Sequence, residues 1–173
     1  NLAKTLYLQT KIEYMSLLTV GSVAFDAIET PFGKTDKIIG GAGTYIALSS
    51  SYFTKDQKIV SVVGDDFPQE TLDLLSGKGI NLDGLQTMAG RKSFFWAGRY
   101  HEDMNGRDTL DTQLNVLADF DPVLPEAYKT TDYVMLGNLT PAVQKRVLEQ
   151  VGDHPKLVGM DTMNFWMDSA MAE

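Results

Sequence analysis

Short runs of branched apolar residues, each bounded by Gly, Asp or Pro, recur along this chain. They are Leu17 to Val23, Lys58 to Gly64, Tyr133 to Gly137 and Lys156 to Asp161. Each is a continuous apolar run rather than an in–out alternation, which suits strands covered on both faces. Helical patterns lie between them. Gly41 to Phe53 holds Ile46, Leu48 and Phe53 among small residues. Pro68 to Ser76 opens on a proline suited to a first turn, with Gly77 and Gly79 as stops. Thr140-Pro141 is a cap and first-turn pair, after which Val143, Val147, Leu148 and Val151 line one face up to Gly152. Asp168-Ser169-Ala170-Met171 reads as the start of a further helix. Strand–helix alternation of this kind predicts an α/β fold around a mostly parallel sheet.

Two stretches break the alternation. Residues 25–39 place Pro31, Gly33 and Asp36 between Ile28 and Ile38-Ile39, an extended or hairpin excursion. Residues 93–109 run through Phe94, Phe95, Trp96, Arg99 and Tyr100 to a polar turn with Asn105-Gly106 at its tip, a hairpin signal. Together they predict a small β cover over one edge of the main sheet.

Composition narrows the classes. The chain has 173 residues, 43% of them hydrophobic, enough for a core in one domain. It has no cysteine, which excludes disulfides and thiolate metal sites and favours a cytoplasmic setting. A formal net charge of −8 argues against nucleic acid and anionic membrane surfaces as partners. No apolar run approaches the roughly 20 residues that cross a bilayer. Residues 1–14 carry Lys4 and Lys11 in a mixed polar pattern, and Met15 opens the first strand pattern. We read Met15 as the natural start and residues 1–14 as a non-native or upstream leader; a genuine N-terminal helix is the other reading.

Candidate site residues gather at strand ends. Gly40-Gly41-Ala42-Gly43-Thr44 directly precedes a helix. Glycines there let backbone N–H groups approach a ligand, and a helix N-terminus favours oxygen-rich groups; a tight turn with close packing would use the same residues. Asp26 stands just past the first strand, where ligands of open α/β sheets bind, and its carboxylate can accept hydrogen bonds from substrate hydroxyls. Asn138 follows the strand that starts at Tyr133, and Asp161 and Asn164 follow the strand that starts at Lys156. Each alone also fits a cap or turn; their convergence on one end of the sheet outlines a site. In the second hairpin, Arg99 could pair with a substrate oxygen and Trp96 could stack on an apolar face.

Other chemistries find no support. The glycine cluster is not a dinucleotide fingerprint, because the third glycine position counted from Gly41 is Ile46, which disfavours a nucleotide-linked oxidoreductase. Gly33-Lys34-Thr35 mimics the end of a P-loop, but Ile28 occupies the opening glycine position. Asp65-Asp66 reads as an acidic turn capping the next helix rather than a metal pair. His101 and His154 lack ligand spacing, and neither has an elbow-like serine partner, so no metal site or Ser-His-Asp arrangement is assigned.

Three blocks in order, Gly21-Ser22-Val23-Ala24-Phe25-Asp26, Gly40-Gly41-Ala42-Gly43 and Val62-Val63-Gly64-Asp65-Asp66-Phe67, resemble the first half of the ribokinase/PfkB family of carbohydrate and nucleoside kinases. Gly159-Met160-Asp161-Thr162-Met163-Asn164 resembles the strand end that faces the site in its sugar kinases. The block Thr109 to Asn115 is similar to an uncharacterised bacterial branch of the family. The resemblance runs from Met15 to Glu173, about half of a usual member. It implies a ribokinase-like layered α/β/α core with a small β-sheet lid made by segments of about 25–39 and 93–109, the C-terminal part of the fold being missing. It further implies phosphoryl transfer from ATP, with Mg²⁺, to a hydroxyl of a small sugar or nucleoside. Asp26 would bind sugar hydroxyls, the Gly40-Gly41 pair would serve substrate contact and lid closure, and lid-to-lid packing would give a homodimer.

Two departures from the family pattern stand out. Tyr45 occupies a position where the family usually has asparagine, which alters the substrate contacts there. The Asp-Thr-x-Gly-Ala-Gly-Asp signature, which supplies an anion hole and the aspartate base, is absent from this sequence, as are the magnesium-associated Asn-x-x-Glu motif and the nucleotide-binding region. The expectation is a chain that carries mainly the substrate-binding half and is inactive alone. The alternative is a truncated or degenerate sugar- or nucleoside-binding module without catalysis.

Overall fold

In the computed structural model, residues 15–171 are described; the expectation for residues 1–14 falls outside them. Among the described residues five strands form the main sheet: β1 (Ser16–Val20), β5 (Asp56–Gly64), β6 (Ile80–Met88), β9 (Tyr133–Leu136) and β10 (Leu157–Met160), in the order β10-β9-β1-β5-β6. Every neighbouring pair in it is parallel. Alternation along β5 explains why both faces are apolar. Val60 and Val62 pack with Leu18, Val20, Val134 and Leu136 against Val147 and Val151 of α3 (Pro141–Val151). Ile59 and Val63 turn the other way, toward Ala47 of α1 (Ala42–Ser50) and Leu75 of α2 (Gln69–Gly77). Helices therefore cover both faces, the arrangement that parallel strands require.

The two excursions form one second sheet. β2 (Ala24–Thr30) pairs antiparallel with β3 (Gly33–Lys34) and with β4 (Ile38–Gly40). It also pairs in parallel with β7 (Phe95–Tyr100), which pairs antiparallel with β8 (Arg107–Gln113). The parallel β2–β7 pair joins hairpins that lie far apart in sequence. At its base, Phe25 stacks on Phe67, ring centroids 5.2 Å apart, and anchors this sheet to the main core.

Three features differ from the sequence expectation. Strand β6 was not anticipated, because Asn81, Asp83, Gly84 and Gln86 interrupt its apolar pattern. It is an edge strand, so only some of its side chains need be apolar. Its Gly84 is required by packing, since a Cβ there would lie 2.6 Å from the Ile59 carbonyl oxygen and 2.7 Å from the Tyr128 ring. The last helix, α4, runs Asn164–Ser169 and so ends where the sequence pattern placed a beginning. Aspartates 65 and 66 do not cap α2; they reach across to the loop that leads into β7.

Candidate functional site

The site grows from a tight crossing at the carboxyl end of β1. Gly21 and Gly43 meet backbone to backbone: a Cβ on Gly21 would lie 2.7 Å from the Gly43 nitrogen. The Gly43 N–H donates to the Ser22 carbonyl at 2.9 Å, and the Ala42 N–H to the Ser22 hydroxyl at 3.1 Å. These contacts set the start of α1 directly over the β1 strand end. Gly41, with φ +93°, makes the turn into the helix, and a side chain there would strike the Ser22 carbonyl oxygen at 2.3 Å.

Asp26 lies against this turn. A Cβ on Gly40 would sit 2.1 Å from Oδ2 and 2.2 Å from Cγ of Asp26. The carboxylate thus fills the space that a side chain at position 40 would need. Partial burial raises its pKa above the usual carboxylate value, while the Gly41 backbone amide, which favours the charged form, works against that rise. A half-buried carboxylate at a helix N-terminus, with unused acceptor lone pairs, is equipped to take hydrogen bonds from hydroxyl groups.

Other strand ends meet the same helix. A Cβ on Gly137 would lie 3.2 Å from the Ala42 Cβ and 3.1 Å from the Val20 carbonyl oxygen, so the end of β9 abuts α1. Asn138 follows directly, but its side chain is engaged. The Trp166 indole N–H donates to Asn138 Oδ1 at 2.9 Å, and Asn138 Nδ2 donates to the Met163 sulfur at 3.1 Å. The Asp161 N–H donates to the Leu136 carbonyl at 2.8 Å, which ties the end of β10 to that of β9. The carboxylate of Asp161 and the side chain of Asn164 are exposed. Tyr45 is also exposed, and its hydroxyl donates to the Ile39 carbonyl at 3.1 Å, strapping β4 to α1.

Arg99 is set apart from this group. Its Nε donates to Glu29 Oε1 at 2.8 Å, and it is the register partner of Glu29 on the parallel β2–β7 pair. Glu29 is three positions from Asp26, so Arg99 lies on the opposite face of the second sheet. That other face also carries a cavity of about 390 Å³ lined by Ala27, Glu29, Lys34, Lys37, Phe95 and Ala97. Trp96, by contrast, is the register partner of Asp26 and shares its face.

Among the described residues no group of three or more His, Cys, Asp or Glu side chains could hold a metal ion. The start of α1 is engaged with Ser22 and Asp26, so these residues do not by themselves fit a magnesium nucleotide. Among the described residues no helix is long and apolar enough to cross a membrane.

No family model matches the chain. A cytidine kinase from Thermococcus kodakarensis is 26% identical over 138 residues, covering 79% of this chain and 48% of its own length. The chain thus spans about half the length of the curated relative it matches. Among solved structures, a nucleoside kinase of the ribokinase family from Methanocaldococcus jannaschii superposes with a TM-score of 0.64 at 18% identity, over 86% of this chain and 53% of that one. A ribokinase from Cryptococcus neoformans in complex with ADP gives 0.62 at 17% identity, over 80% and 47%. A nucleoside kinase from Burkholderia thailandensis in complex with inosine gives 0.60 at 15% identity, over 79% and 49%. The chain therefore has the ribokinase-like fold, and its structural neighbours are sugar and nucleoside kinases of the ribokinase/PfkB family.

Proposed function

We propose that this chain is the substrate-binding half of an ATP-dependent kinase that phosphorylates a hydroxyl of a small sugar or nucleoside. The observation that carries this reading is the Asp26 carboxylate, on β2 of the second sheet, seated on Gly40 at the start of α1. Asp26 accepts hydrogen bonds from substrate hydroxyls and thereby orients the polyol. The backbone at Gly40, Gly41 and Gly43 lets the substrate come close, and Asn138, Asp161 and Asn164 border the same strand ends. The second sheet acts as a lid, with segments of about 25–39 and 93–109. Its closure excludes water, the competing phosphoryl acceptor. ATP with Mg²⁺ would supply the transferred group; no residue of this sequence is assigned to hold it or to act as the base. A cytoplasmic setting and a homodimer through the lid belong to the same reading.

Titration calorimetry of the purified protein with ribose, cytidine and inosine tests it. Saturable heat that is lost in Asp26→Ala is the expected result, and binding that survives this change removes Asp26 from the site. A coupled ADP-release assay on the isolated chain is expected to show negligible turnover. Turnover by a sample free of host kinases would overturn that part.

A further inference from the structure

We infer that the Asp26 face of the second sheet is built for a nucleoside, with Trp96 as the residue that selects a planar base over a free sugar. This rests on the binding role proposed for Asp26. Register places Asp26 between Ile38 on β4 and Trp96 on β7. Registered neighbours on adjacent strands share a face and stand ~4.8 Å apart, so the carboxylate is flanked by an isoleucine on one side and an indole on the other. The next β7 residue on that face is Gly98. A Cβ there would lie 2.0 Å from Cη2, 2.4 Å from Cζ2 and 2.8 Å from Cζ3 of Trp96. The benzo ring of the indole therefore lies across the Gly98 backbone, in space that any other residue would occupy.

The ring is held there from one edge. The indole N–H donates at 3.3 Å to the Thr109 hydroxyl, and Thr109 is the β8 register partner of Gly98. The Arg107 guanidinium stands 5.8 Å from the ring centroid, at the loose end of cation–π contact, so a stacked heterocycle displaces only a weak partner. A core anchor is the competing explanation for a tryptophan in a strand. Its neighbour Phe95, on the opposite face, has that role, packing against the core cluster that holds Phe25 and Phe67, while Trp96 belongs to neither core cluster. An acceptor for hydroxyls beside an aromatic plane matches a ligand that joins a polyol to a flat ring. A free sugar engages the first group and leaves the second unused.

The test compares Kd values for cytidine, inosine and ribose in the wild type, Trp96→Leu, Trp96→Phe and Asp26→Asn. Stacking on an aromatic side chain is worth about tenfold or more in affinity. Trp96→Leu should therefore weaken both nucleosides at least about tenfold and leave ribose unchanged, whereas Trp96→Phe retains most of the affinity. Leucine keeps apolar bulk at this position, and thermal melts identify any variant that fails to fold; the Phe variant then carries the comparison, through the ratio of its nucleoside and ribose affinities. Equal losses for ribose and nucleosides in Trp96→Leu, or none for any ligand, would overturn the inference while Asp26→Asn still abolishes binding. Unchanged binding in Asp26→Asn, or no binding of any of these ligands by the wild type, would overturn the Asp26 reading and this inference with it.

Discussion

Asp66 and Ser93 are locked together twice: the Asp66 carboxylate accepts both the backbone N–H and the hydroxyl of Ser93, each at 2.7 Å. Lys37 reaches the same carboxylate at 3.3 Å while its ammonium sits 3.7 Å from the Phe25 ring centroid. Ser93 is 2% exposed, and its hydroxyl also accepts the Gly64 N–H at 3.0 Å. This turn after β5 thus ties the root of β7 and the approach to β4 to the main sheet. It is a positioning contact for the whole second sheet.

Ser93→Ala should lower stability by about 1–2 kcal/mol, because it removes one charge-assisted bond and strands the Gly64 amide. Urea unfolding measures it. Burial works to raise the Asp66 carboxyl, but the Ser93 donors and the Lys37 ammonium outweigh it and hold the pKa below the ordinary 3.8. A depressed folded pKa contributes stability that is present above the ordinary value and lost as pH falls through the lower folded one. Asp66→Asn should therefore flatten the acid limb of the stability–pH curve; an unchanged limb would show that the clamp contributes nothing.

Asp26 shows the opposite sign. Its pKa is raised, so the charged form costs folding stability at neutral pH, and stability from this group is gained as pH falls through the raised value. Asp26→Asn should be no less stable than the wild type at pH 7, while losing ligand affinity. A melt paired with a calorimetric titration checks both. As pH is lowered, wild-type affinity should begin to fall earlier than it would for an ordinary aspartate, as the acceptor is protonated.

Two glycine substitutions should separate binding from folding. In Gly40→Ala the atoms nearest the new methyl are the carboxylate Oδ2, Cγ and Oδ1 of Asp26, a side chain that can swing away. We expect a small loss of stability, below about 1 kcal/mol, and a large loss of ligand affinity. In Gly43→Ala the methyl meets the Gly21 carbonyl oxygen at 2.7 Å, where only backbone can yield. That change should cost about 2 kcal/mol or more. Equal destabilisation by the two would refute the distinction.

Tyr128 closes the core beneath β6. Its hydroxyl donates to Asn81 Oδ1 at 2.6 Å and accepts the Gly84 N–H at 3.2 Å. Burial pushes its pKa up to about 12, with the Asp83 charge adding to the effect. The neutral phenol is the native form, so its contribution is present below the ordinary value of 10.0 and lost as pH rises toward 12. Tyr128→Phe should cost about 1–2 kcal/mol at pH 7 and soften the alkaline limb of the stability curve.

Arg99→Ala should leave ligand affinity unchanged to within about twofold, because Arg99 pairs with Glu29 in solvent on the face away from Asp26. A larger loss in calorimetry would bring Arg99 back into the site.

Local pattern carried the main sheet. The runs at Leu17, Lys58 and Tyr133 were readable because strands covered on both faces are apolar throughout; the run at Lys156, expected to be covered in the same way, instead forms the edge strand β10, where Leu157, Val158 and Met160 are exposed. Strand β6 escaped, because an edge strand can carry Asn81, Asp83 and Gln86 without penalty, and Gly84 looks like a break until Tyr128 is seen to need the room. Asp65-Asp66 resembled a helix cap for a similar reason: the partners Gly90 and Ser93 lie more than twenty residues away.

The α/β alternation, the two hairpin excursions and the glycine turn that opens α1 were legible along the chain, since each depends on residues within a few positions of one another. Which faces those hairpins share emerged only from the folded arrangement. The parallel pairing of β2 with β7 sets Trp96 beside Asp26 and turns Arg99 away, and the step of one residue that separates these outcomes follows from register. Register is a non-local quantity, fixed by the packing of Phe25 and Phe67 and by the Asp66–Ser93 clamp at the base of the sheet.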